Sequence, residues 1–217
     1  SARKLNIALA MSSFFPAVGG AQVTANNLGR YLIEQGHTVV IFVSPKFWRS
    51  LRKQNSEFPF KILPMLPAQQ SALPRFGSIY LKIQDVYLSY MQNKYRFDVW
   101  QSFGTYPTGV SISHFTHPRG IPHVVRTIGY DIQKDETIGY GYRLHPKLDH
   151  LICKWTPRAS KSIASTKSVI PDLLDAGVLR NQIKVVPCGV NYKRFTSSPI
   201  NRMNVRRAHG IPSNVFT

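Results

Sequence analysis

The sequence predicts an α/β fold: a doubly wound, mainly parallel sheet with helices on both faces, of the Rossmann-like kind. Runs typical of strands alternate with runs typical of helices along the whole chain. One of them, Val39–Val43, is apolar at every position, which favours a parallel strand covered on both faces. With 217 residues, 43% of them apolar, the chain can form one large domain, or one domain and the start of another.

The amino-terminal segment predicts a strand, a glycine-containing loop and a helix. Lys4–Met11 is an apolar run, and Ala21–Gln35 has apolar residues on one helical face. Between them, the loop Ser12–Gly20 ends in the adjacent glycines Gly19 and Gly20. This order brings backbone N–H groups and a helix N-terminus towards an anion at a sheet edge. The alternative is an ordinary tight turn, which also favours glycine.

The rest of the chain continues the alternation. We predict further strands at Phe58–Leu63, Asp98–Phe103, Ile121–Thr127, Ser162–Ser165 and Ile183–Pro187, and helices at Phe76–Tyr95, Pro107–His114, Leu144–Trp155 and Val169–Ala176. Ligands of such sheets bind beyond the carboxyl ends of the strands. Three loops fall there, Ser12–Gly20, Phe103–Tyr106 and Ile128–Asp131, so we expect them to converge on one crevice.

The helix at Phe76–Tyr95 carries a broad apolar stripe. Its members are Phe76, Ile79, Tyr80, Ile83, Val86, Tyr87, Tyr90 and Met91. We expect this stripe to be buried in the core, and the alternative is a face for a membrane or a partner.

The chain is strongly basic, with 28 Lys and Arg against 10 Asp and Glu and a formal net charge of +18. This charge favours an anionic partner, such as a phospholipid surface, a nucleic acid or a polyanionic substrate. Nucleic acid is not expected, because the sequence has no RNP-like, helix-turn-helix or zinc-finger pattern. A short segment combines aromatic and basic residues, as interfacial membrane helices do: Lys46, Phe47, Trp48, Arg49, Arg52 and Lys53. The equal alternative is a surface helix with its aromatic rings packed inward.

Several kinds of site lack their motif. The sequence has no GxGxxG, no GxxxxGK[ST], no GxSxG and no Asp-x-Asp pair, and its histidines have no zinc-ligand spacing. Cys153 and Cys188 form no metal-binding or CxxC pattern, which is typical of free thiols in a reducing cytosol. We therefore expect neither a bound metal nor a bound cofactor.

A series of motifs resembles a known family. They are Pro16-x-x-Gly19-Gly20, Gly36-His37-Thr38-Val39-Val40, Arg126-Thr127-Ile128-Gly129-Tyr130-Asp131, Ser162-Ile163-Ala164-Ser165-Thr166, and Ile183–Asn191 leading to Phe195. Their order and spacing are similar to those in the amino-terminal domain of glycosyltransferases with the GT-B fold, specifically family GT4. The resemblance extends over essentially the whole chain.

The resemblance implies a retaining, metal-independent hexosyltransferase that uses a UDP- or GDP-linked sugar as co-substrate. Gly19 and Gly20 would bind the donor diphosphate. Asp131 would be the catalytic residue. The acceptor would lie against Phe15, Gln22, Gly104, Tyr106, Gly129 and Tyr130.

The sequence departs from the family pattern at three places. Ile128 stands where the family usually has His, and Gln22 stands where it often has Glu. The usual Pro-Asn-Gly-Val-Asp is here Pro187-Cys188-Gly189-Val190-Asn191. The first departure removes a polar contact on the acceptor side. A simple alternative for Asp131 is therefore a residue that ends its loop through an Asx turn or caps a helix.

The resemblance also implies a second domain. Residues 1–195 would form the acceptor domain, and 196–217 would begin the connection to a missing carboxy-terminal nucleotide-sugar domain, so that the fragment folds but is inactive alone. The basic charge suits a glycan or lipid-linked acceptor at an anionic membrane, which predicts a cytoplasmic protein peripherally associated with the membrane. The alternative function is a non-enzymatic basic module that binds anionic membranes or polyanions.

Overall fold

A computed structural model of the chain describes residues 3–52, 58–65, 72–190 and 197–215. Its seven strands are β1 (Asn6–Ala10), β2 (Thr38–Val43), β3 (Lys61–Pro64), β4 (Val99–Phe103), β5 (His123–Arg126), β6 (Lys161–Ala164) and β7 (Ile183–Val185). All neighbouring strands pair in parallel, in the order β3-β2-β1-β4-β5-β6-β7. The predicted fold class is confirmed.

Helices connect the strands. They are α1 (Gly20–Glu34), α2 (Pro45–Leu51), α3 (Ala72–Tyr95), α4 (Val110–Thr116), α5 (Pro146–Trp155), α6 (Ile170–Asp175) and α7 (Pro199–Ala208). A π-helical turn, Thr105–Gly109, leads from β4 into α4. The helix α3 is kinked at Gly77, whose φ of 30° no regular helix contains.

Strand order and register bring three loops to one edge. The chain winds outward from β1 to β3 on one side and from β4 to β7 on the other, so β1 and β4 form the switch point. Ala10 pairs with Ser102, and Phe103 pairs with Arg126, so β1, β4 and β5 end at nearly the same level. The loops that follow these three strands are therefore neighbours, as the sequence predicts.

The core consists of apolar layers on the two faces of the sheet. Along β1, Leu9 packs in one buried cluster, while Ala8 and Ala10 belong to the cluster on the opposite face. Trp100 is fully buried in the second cluster, with its ring stacked on Phe42 at 5.1 Å. Burial on both faces explains why β1 and β2 are apolar at successive positions.

Helix α3 corrects one prediction. Tyr80 and Leu81 are buried, but four other apolar residues of its outer face are exposed, namely Ile79, Ile83, Val86 and Tyr90. The expectation that this stripe packs in the core is wrong for these four. Apolar residues of α3 lie on both its inner and its outer face, so periodicity alone could not identify the face that packs on the sheet. The side chain of Phe76 lies outside the described residues.

The chain divides into two compact units, Ser1–Pro187 and Cys188–Thr217. In the second unit, the Ser198 hydroxyl accepts a hydrogen bond from the Asn201 N–H and caps α7. The largely buried Arg206 side chain donates to the Pro212 carbonyl at 2.8 Å, which holds the turn after the helix. The predicted domain boundary at 195 lies outside the described residues.

Candidate active site

The glycine loop leaves the N-terminus of α1 open. Gly19 is extended and precedes the first turn of the helix, which no side chain of the described residues caps and which contains no acidic residue. A Cβ added to Gly20 would have no neighbour within 4 Å, whereas one added to Gly19 would lie 2.7 Å from the Gln22 amide oxygen, so the open space lies at Gly20. Unpaired N–H groups and the positive end of a 15-residue helix therefore lie at the switch point of the sheet.

Gln22 fixes the shape of this loop. Its amide nitrogen donates to the Ser13 hydroxyl at 2.7 Å, which links the first turn of α1 to the end of β1. The Phe15 ring packs edge-on against buried Phe14 at 5.1 Å and is only partly exposed. The acceptor-binding roles of Phe15 and Gln22 stay predictions, and in this structure both side chains hold the loop in place.

Asp131 joins the loops after β4 and β5. Its side chain is 1% exposed and accepts hydrogen bonds from the Thr105 N–H at 2.5 Å and the Ile128 N–H at 2.9 Å. The Thr105 hydroxyl in turn donates to the Asp131 carbonyl at 2.7 Å. Burial raises the pKa of the Asp131 carboxyl, and the N–H donors oppose that shift. This geometry favours a positioning role, and the catalytic role stays a prediction.

Glycines allow the two loops to come this close. Gly104 has a φ of 93° and donates its N–H to the Arg126 carbonyl at 2.8 Å. A Cβ at Gly109 would lie 2.7 Å from the Gly104 carbonyl oxygen, so a side chain there would displace the backbone. Gly129 also requires a left-handed conformation, with a φ of 109°. Gly104 and Gly129 thus shape the backbone of the loops after β4 and β5, and their acceptor-binding role stays a prediction.

Tyrosines form the outer surface of the same side. Tyr130 is 42% exposed and packs edge-on against Tyr142 at 4.6 Å and Tyr140 at 5.0 Å. It lines a cavity of about 430 Å³ with Tyr142 and His145. Tyr106 is buried behind Tyr142, and burial raises the pKa of its phenol. Of the two tyrosines predicted to bind the acceptor, only Tyr130 presents its ring to a cavity among the described residues.

The sequence analysis assigned no role to two arginines that hold neighbouring segments together. Arg126, at the carboxyl end of β5, is nearly buried and donates to the Val186 carbonyl at 3.0 Å, which supports the edge next to β7. Arg143 bonds Asp149 at 2.6 Å and Asp175 at 2.8 Å, which ties α5 and α6 to the segment after Tyr142. Arg126 stands in a family-like motif, whereas Arg143 stands in none, and its partner Asp175 is 32 residues away in the sequence.

The predicted membrane-docking segment forms α2. Phe47 and Trp48 are half-buried against the core cluster, which favours the inward-packed alternative for the rings. Lys46, Arg49 and Arg52 are exposed, and Arg52 lies over the Trp48 ring at 5.7 Å. Lys53 lies outside the described residues. Membrane docking through α2 stays a prediction.

Neither a metal cluster nor a membrane span is found in the part of the chain that the structure describes. No three His, Cys, Asp or Glu side chains of these residues are grouped as ligands of a metal ion. None of the described helices is both long enough and apolar enough to cross a bilayer.

Comparison with known families decides the assignment. The model of Glycosyltransferase Family 4 matches residues 18–194, which is most of the chain. The chain belongs to this family. The match includes Gly19 and Gly20, the loops after β4 and β5, and the strands β2 to β7.

Solved structures of glycosyltransferases share the fold of this family 4 chain. HepE from Anabaena, in complex with UDP, superposes with a TM-score of 0.67 at 16% identity, over 95% of this chain and 50% of HepE. A glycosyltransferase from Rickettsia africae gives 0.66 at 16% identity, over 97% and 51%. WaaG, a glycosyltransferase involved in lipopolysaccharide biosynthesis, gives 0.59 at 17% identity, over 95% and 52%. The chain thus spans about half the length of these proteins. Comparison with curated proteins gave no significant match.

Proposed function

We propose that this domain belongs to a retaining hexosyltransferase that transfers a sugar from a UDP- or GDP-linked donor to a lipid-linked acceptor. The observation that carries the proposal is the uncapped N-terminus of α1, with free space at Gly20, on the switch-point edge of a family 4 fold. Support for the donor class comes from HepE, which was crystallised with UDP and with UDP-glucose.

The open helix end suits the chemistry of a nucleotide-sugar donor. When the bond between the anomeric carbon and the diphosphate breaks, negative charge accumulates on the leaving phosphate oxygens. N–H groups preorganised at Gly20 and Ala21 can stabilise this charge without first moving into place. Removing one such donor from a preorganised site typically costs on the order of 100-fold in rate.

The acceptor would lie on the opposite side of the switch point. Tyr130 and the cavity next to it offer aromatic surface, and the loops joined by Asp131 provide a fixed backbone. A lipid-linked acceptor agrees with the net charge of +18, since such lipids lie in anionic membranes. WaaG, which shares the fold, takes part in lipopolysaccharide biosynthesis.

We further propose that the 217 residues are the acceptor half of the enzyme and do not transfer sugar alone. Transfer from a panel of UDP- and GDP-hexoses to polyprenyl-diphosphate sugars and phosphatidylinositol tests this, with the 217-residue chain compared with the chain extended by whatever is encoded after Thr217. We expect turnover only in the extended chain, with retained anomeric configuration by NMR. Turnover by the 217-residue chain would refute the incompleteness, and an inverted product would refute retention.

Variants of Gly20 test the anion site itself. The Cβ of Gly20→Ala and the larger side chain of Gly20→Val enter open space, so both should fold, but each intrudes further where the diphosphate would lie. In the extended chain we expect kcat/KM to fall by about tenfold for Ala and about 100-fold for Val, the loss typical of a disrupted anion hole. Val18→Ala, in the same loop and 76% exposed, is the control. Unchanged kcat/KM in Gly20→Val would place the diphosphate elsewhere.

A further inference from the structure

The outer face of α3 is an exposed apolar stripe. Ile79, Ile83, Val86 and Tyr90 follow one another at spacings of four, three and four residues and are 55–74% exposed. At 3.6 residues per turn, these spacings place all four side chains within an arc of about 60°. They therefore form one continuous strip along the helix after the kink at Gly77.

This strip is separate from the core contacts of the helix. The opposite side of α3 packs Leu81 and Leu88 in buried clusters, so the helix already has a complete inner face. By contrast, the outer face of α1 is mixed: it exposes the polar residues Asn27, Arg30 and Glu34 next to Val23 and Tyr31, so it has no continuous apolar strip. A second apolar face on α3 indicates contact with something other than water.

Positive charges border the strip on both sides. Lys82 and Lys94 are exposed, and helical spacing places them on opposite flanks of the four apolar residues. The one acidic residue of α3, Asp85, points away and is engaged by His114 at 2.9 Å and Arg119 at 3.6 Å. The strip is thus apolar along its centre and cationic along its edges, without an opposing carboxylate on α3.

We propose that the outer face of α3 is the surface with which this domain docks on an anionic lipid bilayer. The four apolar side chains enter the boundary between headgroups and acyl chains, and the flanking lysines extend to the lipid phosphates. A nucleic acid would satisfy the lysines but offers no apolar layer for the strip. The choice of a membrane as the partner rests on the proposed function, but the binding itself requires no sugar donor.

This assignment differs from the one that the sequence predicts. Both α2 and α3 combine aromatic or aliphatic side chains with basic ones. In α2, however, the Phe47 and Trp48 rings are partly used in the core, whereas the α3 strip is exposed at all four positions. Transfer into a bilayer is favourable only for apolar surface that is exposed to water in the free protein. Because α3 exposes more such surface than α2, it should contribute more to the free energy of membrane binding.

Co-sedimentation with vesicles separates the two surfaces. The wild-type 217-residue chain should bind vesicles of phosphatidylcholine mixed with phosphatidylglycerol, and bind neutral phosphatidylcholine vesicles much more weakly. The double variant Lys82→Glu/Lys94→Glu should weaken binding by at least about tenfold, since each basic residue near an anionic surface contributes about 1 kcal/mol. The matched reversal on α2, Arg49→Glu/Arg52→Glu, should change it less than about threefold.

A second pair of variants tests the apolar strip without changing charge. Ile83→Ser/Val86→Ser should weaken vesicle binding by about tenfold or more, because two partly inserted side chains are lost. Leu179→Ser is the control, since Leu179 is equally apolar and 63% exposed but lies before β7. Circular dichroism and urea unfolding show that each variant keeps its fold.

Four results would overturn the proposal. The first two are the absence of binding to anionic vesicles at low salt and an equal loss of vesicle binding in the charge reversals on α2 and α3. The third is a loss of vesicle binding in Leu179→Ser as large as in Ile83→Ser/Val86→Ser. The fourth is binding to duplex DNA in place of vesicles. Analytical ultracentrifugation adds a fifth. If the serine pair abolishes self-association and leaves vesicle binding unchanged, the strip is a contact between two copies of the chain. Sugar transfer is not measured, so the membrane surface can fail while the proposed reaction stands.

Discussion

The backbone N–H groups on the two sides of the switch point differ in their hydrogen bonding. After β1, no side chain of the described structure caps the first turn of α1, and a Cβ at Gly20 would meet no neighbour within 4 Å. After β4 and β5, the N–H groups of Thr105 and Ile128 are both bonded to the buried carboxylate of Asp131. The N–H groups at the start of α1 are thus available to a ligand, whereas those of Thr105 and Ile128 hold their own loops in place.

This difference shows how a parallel sheet can bind an anion and still present a fixed surface. Free donors can stabilise developing charge only if their positions are set by other contacts, here the Gln22–Ser13 hydrogen bond at 2.7 Å. Bonded donors cannot bind a ligand, but they give neighbouring Tyr130 a rigid support. Breaking either set of contacts should therefore have different consequences.

The largest effect is expected for Asp131→Ala. The substitution leaves the buried Thr105 N–H and the partly buried Ile128 N–H without their acceptor, and at 1–3 kcal/mol each the free energy of unfolding should fall by roughly 4 kcal/mol. Urea denaturation measures it. The control is Asp135→Ala in the same loop, whose exposed carboxylate bonds nearby groups such as the Thr137 N–H and hydroxyl and should matter little. Wild-type stability together with abolished transfer in the extended chain would instead establish a catalytic Asp131.

Acid should have the next largest effect, on the stability of the whole fold. His123, at the start of β5, is buried between the Ser102 and Ser113 hydroxyls at 3.0 and 3.1 Å, and burial lowers its pKa from 6.5 to about 3. Because the unfolded chain binds this proton more readily, stability should fall as the pH decreases below 6.5, by about 3 kcal/mol at pH 4.

Comparison with His123→Gln isolates this contribution. The raised pKa of Asp131 gives a dependence of the opposite sign, with stability falling as the pH rises, and it remains in both proteins. The variant should be less stable at pH 7 but lose less stability between pH 6.5 and pH 4. Parallel pH profiles of the two proteins in urea denaturation would show that His123 is not the titrating group.

The smallest effect is expected on the open side. Gln22→Ala removes the hydrogen bond to the Ser13 hydroxyl and should lower the free energy of unfolding by about 1 kcal/mol. Gln22→Glu should leave it nearly unchanged, because the hydroxyl can then donate to the carboxylate. If the alanine variant is as stable as the wild type by urea denaturation, this hydrogen bond does not hold the loop.

The sequence predicted what depends on local pattern. Apolar runs located every strand, and the glycine pair located the start of α1 within one residue, at Gly20 in place of Ala21. The convergence of the three loops was predicted because each follows the carboxyl end of a strand, and the observed strand order confirms it.

Contacts distant in sequence could not be predicted in the same way. Asp131 reaches Thr105 across 26 residues, and no spacing rule shows that its carboxylate would be occupied by backbone donors. On α3, the apolar residues of both faces satisfy the same periodicity, so the exposure of Ile83 and Val86 became visible only in three dimensions.

The bridge between Thr105 and Asp131 also limits how this domain can be re-engineered. Because one carboxylate satisfies donors in both segments, the loops after β4 and β5 form a single exchangeable cassette. Exchanging the loop after β5 alone would remove the acceptor of the buried Thr105 N–H, and exchanging the loop after β4 alone could remove the donor of one oxygen of the buried Asp131 carboxylate. Chimeras that alter acceptor choice should therefore exchange 104–109 and 127–133 together, whereas the glycine loop can be exchanged independently.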